Sequence, residues 1–282
     1  MDLIKTKKTA DQRYSEQLEA NALASLHQAA SAEIINHLGL ELIEYCGTMI
    51  SIASKLPDAK ALNCCLTAHH VDTHLSFQEV RLLYQSRGVR RYQLHQNMFT
   101  EPPSEQELRM HKLVARGASQ MLELIISDAE ISAQKIVIVK ISHNQAWDFG
   151  VMASYCLGLD AQAVSLFSQL PIHPDWHVFM SYENYLPCGV AALFIQGTNA
   201  WLDLVAIPEQ KERQQTALIS RCVQYAAEVG CTKVYTKCCL QSALPQNSVS
   251  SGVLLNLGFR KTYIRQTYTN DSSHTVPHLC PS

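Results

Sequence analysis

A carboxylate inside an apolar run, and two cations where a helix opens just after it, are the parts of this 282-residue chain best placed to do chemistry. The run from Ala200 to Ile207 reads Ala-Trp-Leu-Asp-Leu-Val-Ala-Ile, a strand by its apolar content, with Asp203 in its middle. A carboxylate there needs a partner, because leaving water is costly to its charged form. It is either a proton acceptor or one half of a structural salt bridge. Strand alternation puts it on one face with Trp201 and Val205.

The segment Pro208 to Leu218 follows, carrying Lys211 and Arg213, and it opens a helix-like run through Val229. A second strand, Cys231 to Thr236, comes next. Strand, short loop, helix and strand place a fan of backbone N–H groups at a helix N-terminus, which suits a phosphate group. The segment contains no glycine, so Cβ atoms crowd the path of a phosphate towards the backbone. Lys211 and Arg213 are then either compensating cationic donors or solvated charges at an exposed helix start.

Other reactive residue types lack a pattern. Cys64-Cys65 and Cys238-Cys239 are adjacent pairs, and Cys46, Cys156, Cys188, Cys222, Cys231 and Cys280 stand singly. No C-x-x-C spacing occurs, so no zinc-ribbon or thioredoxin-like motif is formed, and most cysteines read as small buried hydrophobes. No metal site is expected. His173 and His177 are four apart, but Pro174 between them argues against a regular helix. His69, His70, His74 and His95 are surface residues or line a cleft between two halves of the chain. Glu183 and Asn184 read as hairpin-turn residues. Neither a Gly-x-Ser-x-Gly elbow nor a Gly-x-x-x-x-Gly-Lys phosphate loop is present.

The elements that must hold these residues follow from periodicity and caps. Residues 11 to 38 are free of Gly and Pro and read as helix, with Gly39 as its stop. Gly47 to Leu56 reads as a strand. Ser76 is an N-cap for a helix through Arg87, and Val89 to Gln96 is a strand. Pro102-Pro103-Ser104 opens a helix ending near Gly117, before a strand from Met121 to Ile126. Lys135 to Ile141 is a strand by its β-branched content, and helices are expected at Ala146 to Leu157 and Ala161 to Leu170. Trp176 to Tyr182, Gly189 to Gln196 and Trp201 to Ile207 are strands, the last two joined as a hairpin. The helix from Gln214 presents Leu218, Ile219, Cys222, Val223 and Ala226 on one face.

Taken with Leu257-Gly258-Phe259-Arg260 and a Tyr-rich strand from Thr262 to Thr269, this order resembles the GNAT superfamily of acyl-CoA transferases over residues 135 to 269. The residues that carry it are Pro208-Glu209, Thr216-Ala217-Leu218, Ala226 to Cys231, Gly258-Phe259-Arg260 and Tyr263-Ile264-Arg265. Residues 35 to 130 are similar in layout to the degenerate N-terminal half of two-domain members. The resemblance implies an α/β protein of two GNAT-like domains, each a mixed, mainly antiparallel sheet flanked by helices. Residues 1–134 would be the degenerate domain, 135–270 the acyl-CoA-binding domain and 271–282 a loose tail.

The resemblance further implies acetyl-CoA as acyl donor, bound without a metal, and a small-molecule or peptide amine as acceptor. The backbone of Val205, Ala206 and Ile207 would pair with pantetheine, and Gln210, Lys211, Arg213, Gln214, Gln215 and Thr216 would hold the pyrophosphate. Counting back from Ala217-Leu218 puts Gln210 in the first slot of the family's loop, with Arg213 and Gln215 where its two glycines stand. Asp203 matches the carboxylate that accepts the amine's proton. The tyrosine of the family's last helix falls on Ser251 or Leu254, and Tyr263 on the next strand is the fallback proton donor, or else a core residue. The alternative is a pseudoenzyme of the same fold, a binding or scaffolding module without catalysis.

Composition narrows the partners. With 23 basic and 25 acidic residues the net charge is -2, which gives no general attraction to nucleic acid or to an anionic membrane. The charged N-terminus has no apolar run behind it, and the longest apolar runs are strand-sized. A soluble, cytoplasmic protein is expected, with room left for a homodimer.

Overall fold

The computed structural model describes residues 10–45, 47–67, 76–97, 102–130, 136–208, 211–240 and 249–270. The first half runs α1 (Ala10–Gln28), α2 (Ala32–Leu38), β1 (Leu40–Tyr45), β2 (Thr48–Ala53), β3 (Cys64–Thr67), α3 (Phe77–Ser86), β4 (Gln93–Asn97), α4 (Glu105–Met110) and β5 (Val114–Ile125). The second runs β6 (Val137–Lys140), α5 (Ala146–Cys156), α6 (Val164–Phe167), β7 (Trp176–Glu183), β8 (Leu186–Gln196) and β9 (Asn199–Ala206). It ends with α7 (Glu212–Glu228), β10 (Lys233–Cys239), α8 (Ser251–Asn256) and β11 (Arg260–Thr269).

Local chemistry explains most boundaries. Ser76 and Ser104 each close a capping box with the glutamate three residues on, starting α3 and α4. The helix expected over 11 to 38 breaks in two, because the Ser31 side chain accepts from Ile34 N–H and starts α2 afresh. Gly39 ends α2 in the left-handed conformation. Asn184 and Tyr185 both take positive φ, as a two-residue hairpin turn requires. The helix expected up to Gly117 stops at Met110, and residues from Val114 onward belong to β5. Pairing of β5 with strands on both sides overrides the helical propensity of this stretch.

All eleven strands form one sheet in the order β1-β2-β3-β4-β11-β5-β10-β9-β8-β7-β6. The order is nearly a palindrome. β3 and β4 pair in parallel, as do β9 and β10, and the neighbouring contacts are antiparallel in both halves. Each half sends its last strand into the other: β5 pairs with β10, β11 pairs with β4, and the two pair with each other. The centre of the sheet therefore belongs to both halves.

Helices cover both faces. One layer holds α1, α2, α5 and α6 over a core that includes Leu18, Leu38, Phe149, Phe167, Trp176 and Trp201. The opposite layer holds α7 and α8 over Leu122, Leu124, Leu218, Ile219 and Phe259. On that same side α3 packs Val80 and Tyr84 onto Ile50, Ile52, Tyr92 and Leu94. The apolar stripe expected on α7 is the stripe it buries.

Gly258 sits at φ +92 after α8, and a Cβ there would lie 2.7 Å from the Asp128 carbonyl oxygen. Gly258→Ala should therefore lose about 1–3 kcal/mol of stability, from strain and the clash together, read as a lower midpoint in urea unfolding. An unchanged midpoint would show that the turn has another conformation open to it.

Candidate active site

Two features of β9 create the site. First, β9 and β10 pair only at Asn199–Lys233, Ala200–Val234 and Trp201–Tyr235; beyond them β10 follows β5 while β9 follows β8. A single further bond, Thr236 Oγ1 to the Leu202 carbonyl at 2.8 Å, bridges the start of the divergence. The backbone from Asp203 to Ala206 thus borders a gap in the sheet. Second, β9 is bulged. Ala192 pairs with Asp203 but Val190 pairs with Ala206, and Leu204 takes φ 43.

The bulge resets the alternation. Trp201 belongs to the core under α1, Asp203 and Leu204 both face a cavity on that same side, and Val205 belongs to the core under α7. Strict alternation had grouped Val205 with Trp201 and Asp203; the extra residue turns Val205 to the opposite face.

The cavity has a volume of about 290 Å³. It lies between α1 and the sheet, and alternation on five neighbouring strands delivers a polar group from each to that face. These are His95 from β4, Thr267 from β11, Ser119 from β5, Lys237 from β10 and Asp203 from β9. Among the histidines, His95 is thus the one that lines a cleft between the halves. His69, His70 and His74 lie outside the described residues.

Above these strands α1 contributes Glu19, which is 5% exposed and bound by the Arg265 guanidinium through both oxygens, one contact being 2.9 Å. Lys237 Nζ reaches the same carboxylate at 2.6 Å. Burial alone would raise the Glu19 pKa, but the charges and hydrogen bonds of Arg265 and Lys237 outweigh it and hold the carboxyl well below its ordinary range. Asp203 behaves oppositely. Burial pushes its carboxyl up, Lys237 opposes, and among the described residues it forms no hydrogen bond or ion pair with another side chain. Burial and the nearby positive charges push His95 well below the usual histidine value, so it stands neutral, with Nδ1 3.1 Å from Thr267 Oγ1. The result is a fixed ion cluster, with the Asp203 carboxylate within electrostatic reach of it and lining the same cavity.

Tyr263 lies 6% exposed in the core beneath α1, its hydroxyl 3.4 Å from Ser15 Oγ, and is not among the cavity's lining residues. Burial drives its phenol far above the ordinary tyrosine value. Ser251 opens α8 half-buried, and Leu254 is fully buried.

At the start of α7, Lys211 is the N-cap and its side chain makes no cap bond to the first turn. Lys211 Nζ and Gln214 Nε2 both approach Glu183 Oε2 at 3.3 Å. Arg213 is exposed, Gln215 is buried with Oε1 accepting from Ser250 N–H, and Thr216 bonds back to the Glu212 carbonyl. Val205, Ala206 and Ile207 are buried along the gap. Gln210 and Glu209 lie outside the described residues.

Among the described residues the cysteines form no disulfide and are mostly buried. Burial pushes Cys64 up to about 12 and Cys156 and Cys238 up to about 11, as packing residues rather than nucleophiles. No group of three or more His, Cys, Asp or Glu that could hold a metal occurs among the described residues, and none of their helices is long and apolar enough to cross a membrane.

Glu19, Lys237 and Arg265 were not singled out as site residues from sequence. A signal for Glu19 existed: Ser15, Glu19, Ala22 and Leu26 share one helical stripe, so the carboxylate faces inward. Nothing local to β10 or β11 tells which face of each strand would meet it.

No protein-family model matches the sequence, and no curated protein does. Solved structures do match. A GCN5-related N-acetyltransferase from Kribbella flavida superposes with TM-score 0.58 at 13% identity, over 90% of this chain and 96% of its own. A functionally unknown conserved protein from Staphylococcus epidermidis gives TM-score 0.58 at 12% identity, over 86% and 98%. A GCN5-related N-acetyltransferase from Sphaerobacter thermophilus gives 0.52 at 8%, over 91% and 92%. With its divergent parallel strand pair, bulged β9 and nearly palindromic sheet, this chain has the GNAT-type fold.

Proposed function

We propose that this protein is an acyl-CoA-dependent N-acyltransferase, moving an acetyl group from acetyl-CoA to an amine by direct attack in a ternary complex. The observation that carries this is the gap between β9 and β10 beside a cavity that holds a carboxylate, Asp203, with no side-chain hydrogen bond among the described residues. Pantetheine would lie in the gap, hydrogen-bonded to the backbone of Val205 to Ile207. The first turn of α7, with Lys211, Arg213, Gln214, Gln215 and Thr216, would receive the pyrophosphate; Gln210 precedes that turn.

Asp203 would take a proton from the acceptor ammonium. The neutral nitrogen attacks the thioester carbon, and a backbone N–H of β9 supports the oxyanion. The C–S bond then breaks, the departing thiolate takes a proton from the Asp203 carboxyl or from water, and the nitrogen gives up its second proton to the freed Asp203 carboxylate or to water. Glu19, Lys237 and Arg265 would hold α1 over the reaction, closing the cavity from solvent. Cationic donors replace glycine in the loop, so Arg213→Ala should weaken coenzyme A binding by about 1–3 kcal/mol, the range for hydrogen bonds to charged groups.

Calorimetric titration with acetyl-CoA is the direct test. Saturable binding, weakened by Arg213→Ala, supports the reading. Folded protein that binds no acyl-CoA would make the chain a pseudoenzyme. The glycine-free turn is the observation favouring that second reading, with Lys211 already engaged by Glu183.

A further inference from the structure

The cavity is lined by charges of both signs, Glu19 and Asp203 with Lys237 and Arg116. Arg265 is the main counter-ion of Glu19, meeting both of its oxygens and standing only 4% exposed. Lys237 shares one of those oxygens, and among the described residues Glu19 is its one hydrogen-bonded partner. An ammonium has three donors, so two remain, and 35% of this side chain is accessible where it lines the cavity. Arg116 from β5 adds a second cation to the lining. Across the divergence of β9 and β10 stands the Asp203 carboxylate, without a side-chain partner among the described residues. The remaining wall is apolar, with Leu23, Leu26, Phe167 and Trp176.

We propose that this cavity binds a free α-amino acid with an apolar side chain as the acyl acceptor. Its carboxylate would meet Lys237 and Arg116, its amine would meet Asp203, and its side chain would lie on the apolar wall. The assignment of acceptor rests on the acyl-transfer reading; the assignment of ligand class rests on the cavity alone. A simple amine would leave the two remaining Lys237 donors without a new acceptor, and a simple carboxylate would bring a further anion towards Asp203. A zwitterion matches both ends, and desolvated charge without a match is strongly penalised. The 290 Å³ volume suits one small molecule, at the lower end of ligand pockets, rather than a peptide segment. The first half of the chain then has a role, since His95, Arg116 and α1 supply one side of the acceptor site.

The experiment is calorimetric titration of the full chain near neutral pH, with and without acetyl-CoA. The ligands are the apolar L-amino acids, with 3-methylbutylamine and 4-methylpentanoate as the two halves of leucine. At least one amino acid should bind about tenfold or more tighter than either half-ligand, the scale of a charge-assisted hydrogen bond. Lys237→Met should abolish that advantage, bringing the amino acid to the affinity that 3-methylbutylamine has for the same variant. If this variant does not fold, the half-ligand comparison on the natural protein decides alone. Amine and amino acid binding equally, or no amino acid binding while acetyl-CoA binds, would overturn the ligand class and leave the acyltransfer reading standing. Amino acid binding without any acetyl-CoA binding would support the ligand class and defeat the acyltransfer reading.

Discussion

Asp203→Asn should lower kcat for acetyl transfer by about 10²–10⁴-fold, the usual contribution of a positioned general base. Acetyl-CoA affinity should stay within about twofold, because the carboxylate faces the cavity and not the first turn of α7. The same variant should be more stable than the natural protein near neutral pH. Burial raises the Asp203 pKa, so the fold favours the protonated carboxyl. Between the unfolded and folded pKa values the native state binds more protons, and stability falls as pH rises through that window. Asparagine carries no such ionisation. Rising thermal stability with vanishing turnover is the signature of a group kept for function at a cost to the fold. The acid limb of kcat/KM should also lie above the range of an ordinary aspartate. A variant that keeps its turnover would remove Asp203 from the mechanism and leave it as a structural charge beside Lys237.

The largest effect on stability should come from α1. Glu19→Ala leaves Arg265 buried and without its counter-ion, and breaking one side of a buried ion pair costs about 3–5 kcal/mol. Urea unfolding should show the unfolding free energy fall by that amount, with acyl transfer lost as α1 detaches from the central strands. The pH dependence has a definite sign. The folded-state pKa of Glu19 is depressed, so its contribution is present above the ordinary glutamate range and is lost as pH falls towards the folded value. The natural protein should therefore lose stability on acidification more steeply than Glu19→Ala. The double variant Glu19→Leu with Arg265→Met should regain most of the loss, because apolar replacements remove the desolvation penalty of both charges. If the double variant is as unstable as the single one, the cluster's contribution lies in packing of the α1 stem and not in charge.

The sequence by itself determined the local elements and their order. Ser76 and Ser104 with their glutamates, Gly39 after an apolar-striped helix, and the alternating hairpin around Gly197 are interactions within a few residues, so chain proximity is enough to specify them. The buried face of α7 was legible for the same reason, since a period of 3.6 is visible without knowing the partner. That order also carried the GNAT-type resemblance. Tertiary structure decided what joins distant strands. Nothing local to Val114–Ile125 or Arg260–Thr269 says that each crosses into the other half, because β pairing depends on which edge is open when the strand arrives. The bulge at Leu204 inserts one residue against β8 and reverses the facing of everything after it, which no alternation pattern can show in advance. The ion cluster has the same origin. Glu19, Lys237 and Arg265 are separated by up to 246 positions in the chain, and only the exchanged central strands bring their charges to one wall of one cavity.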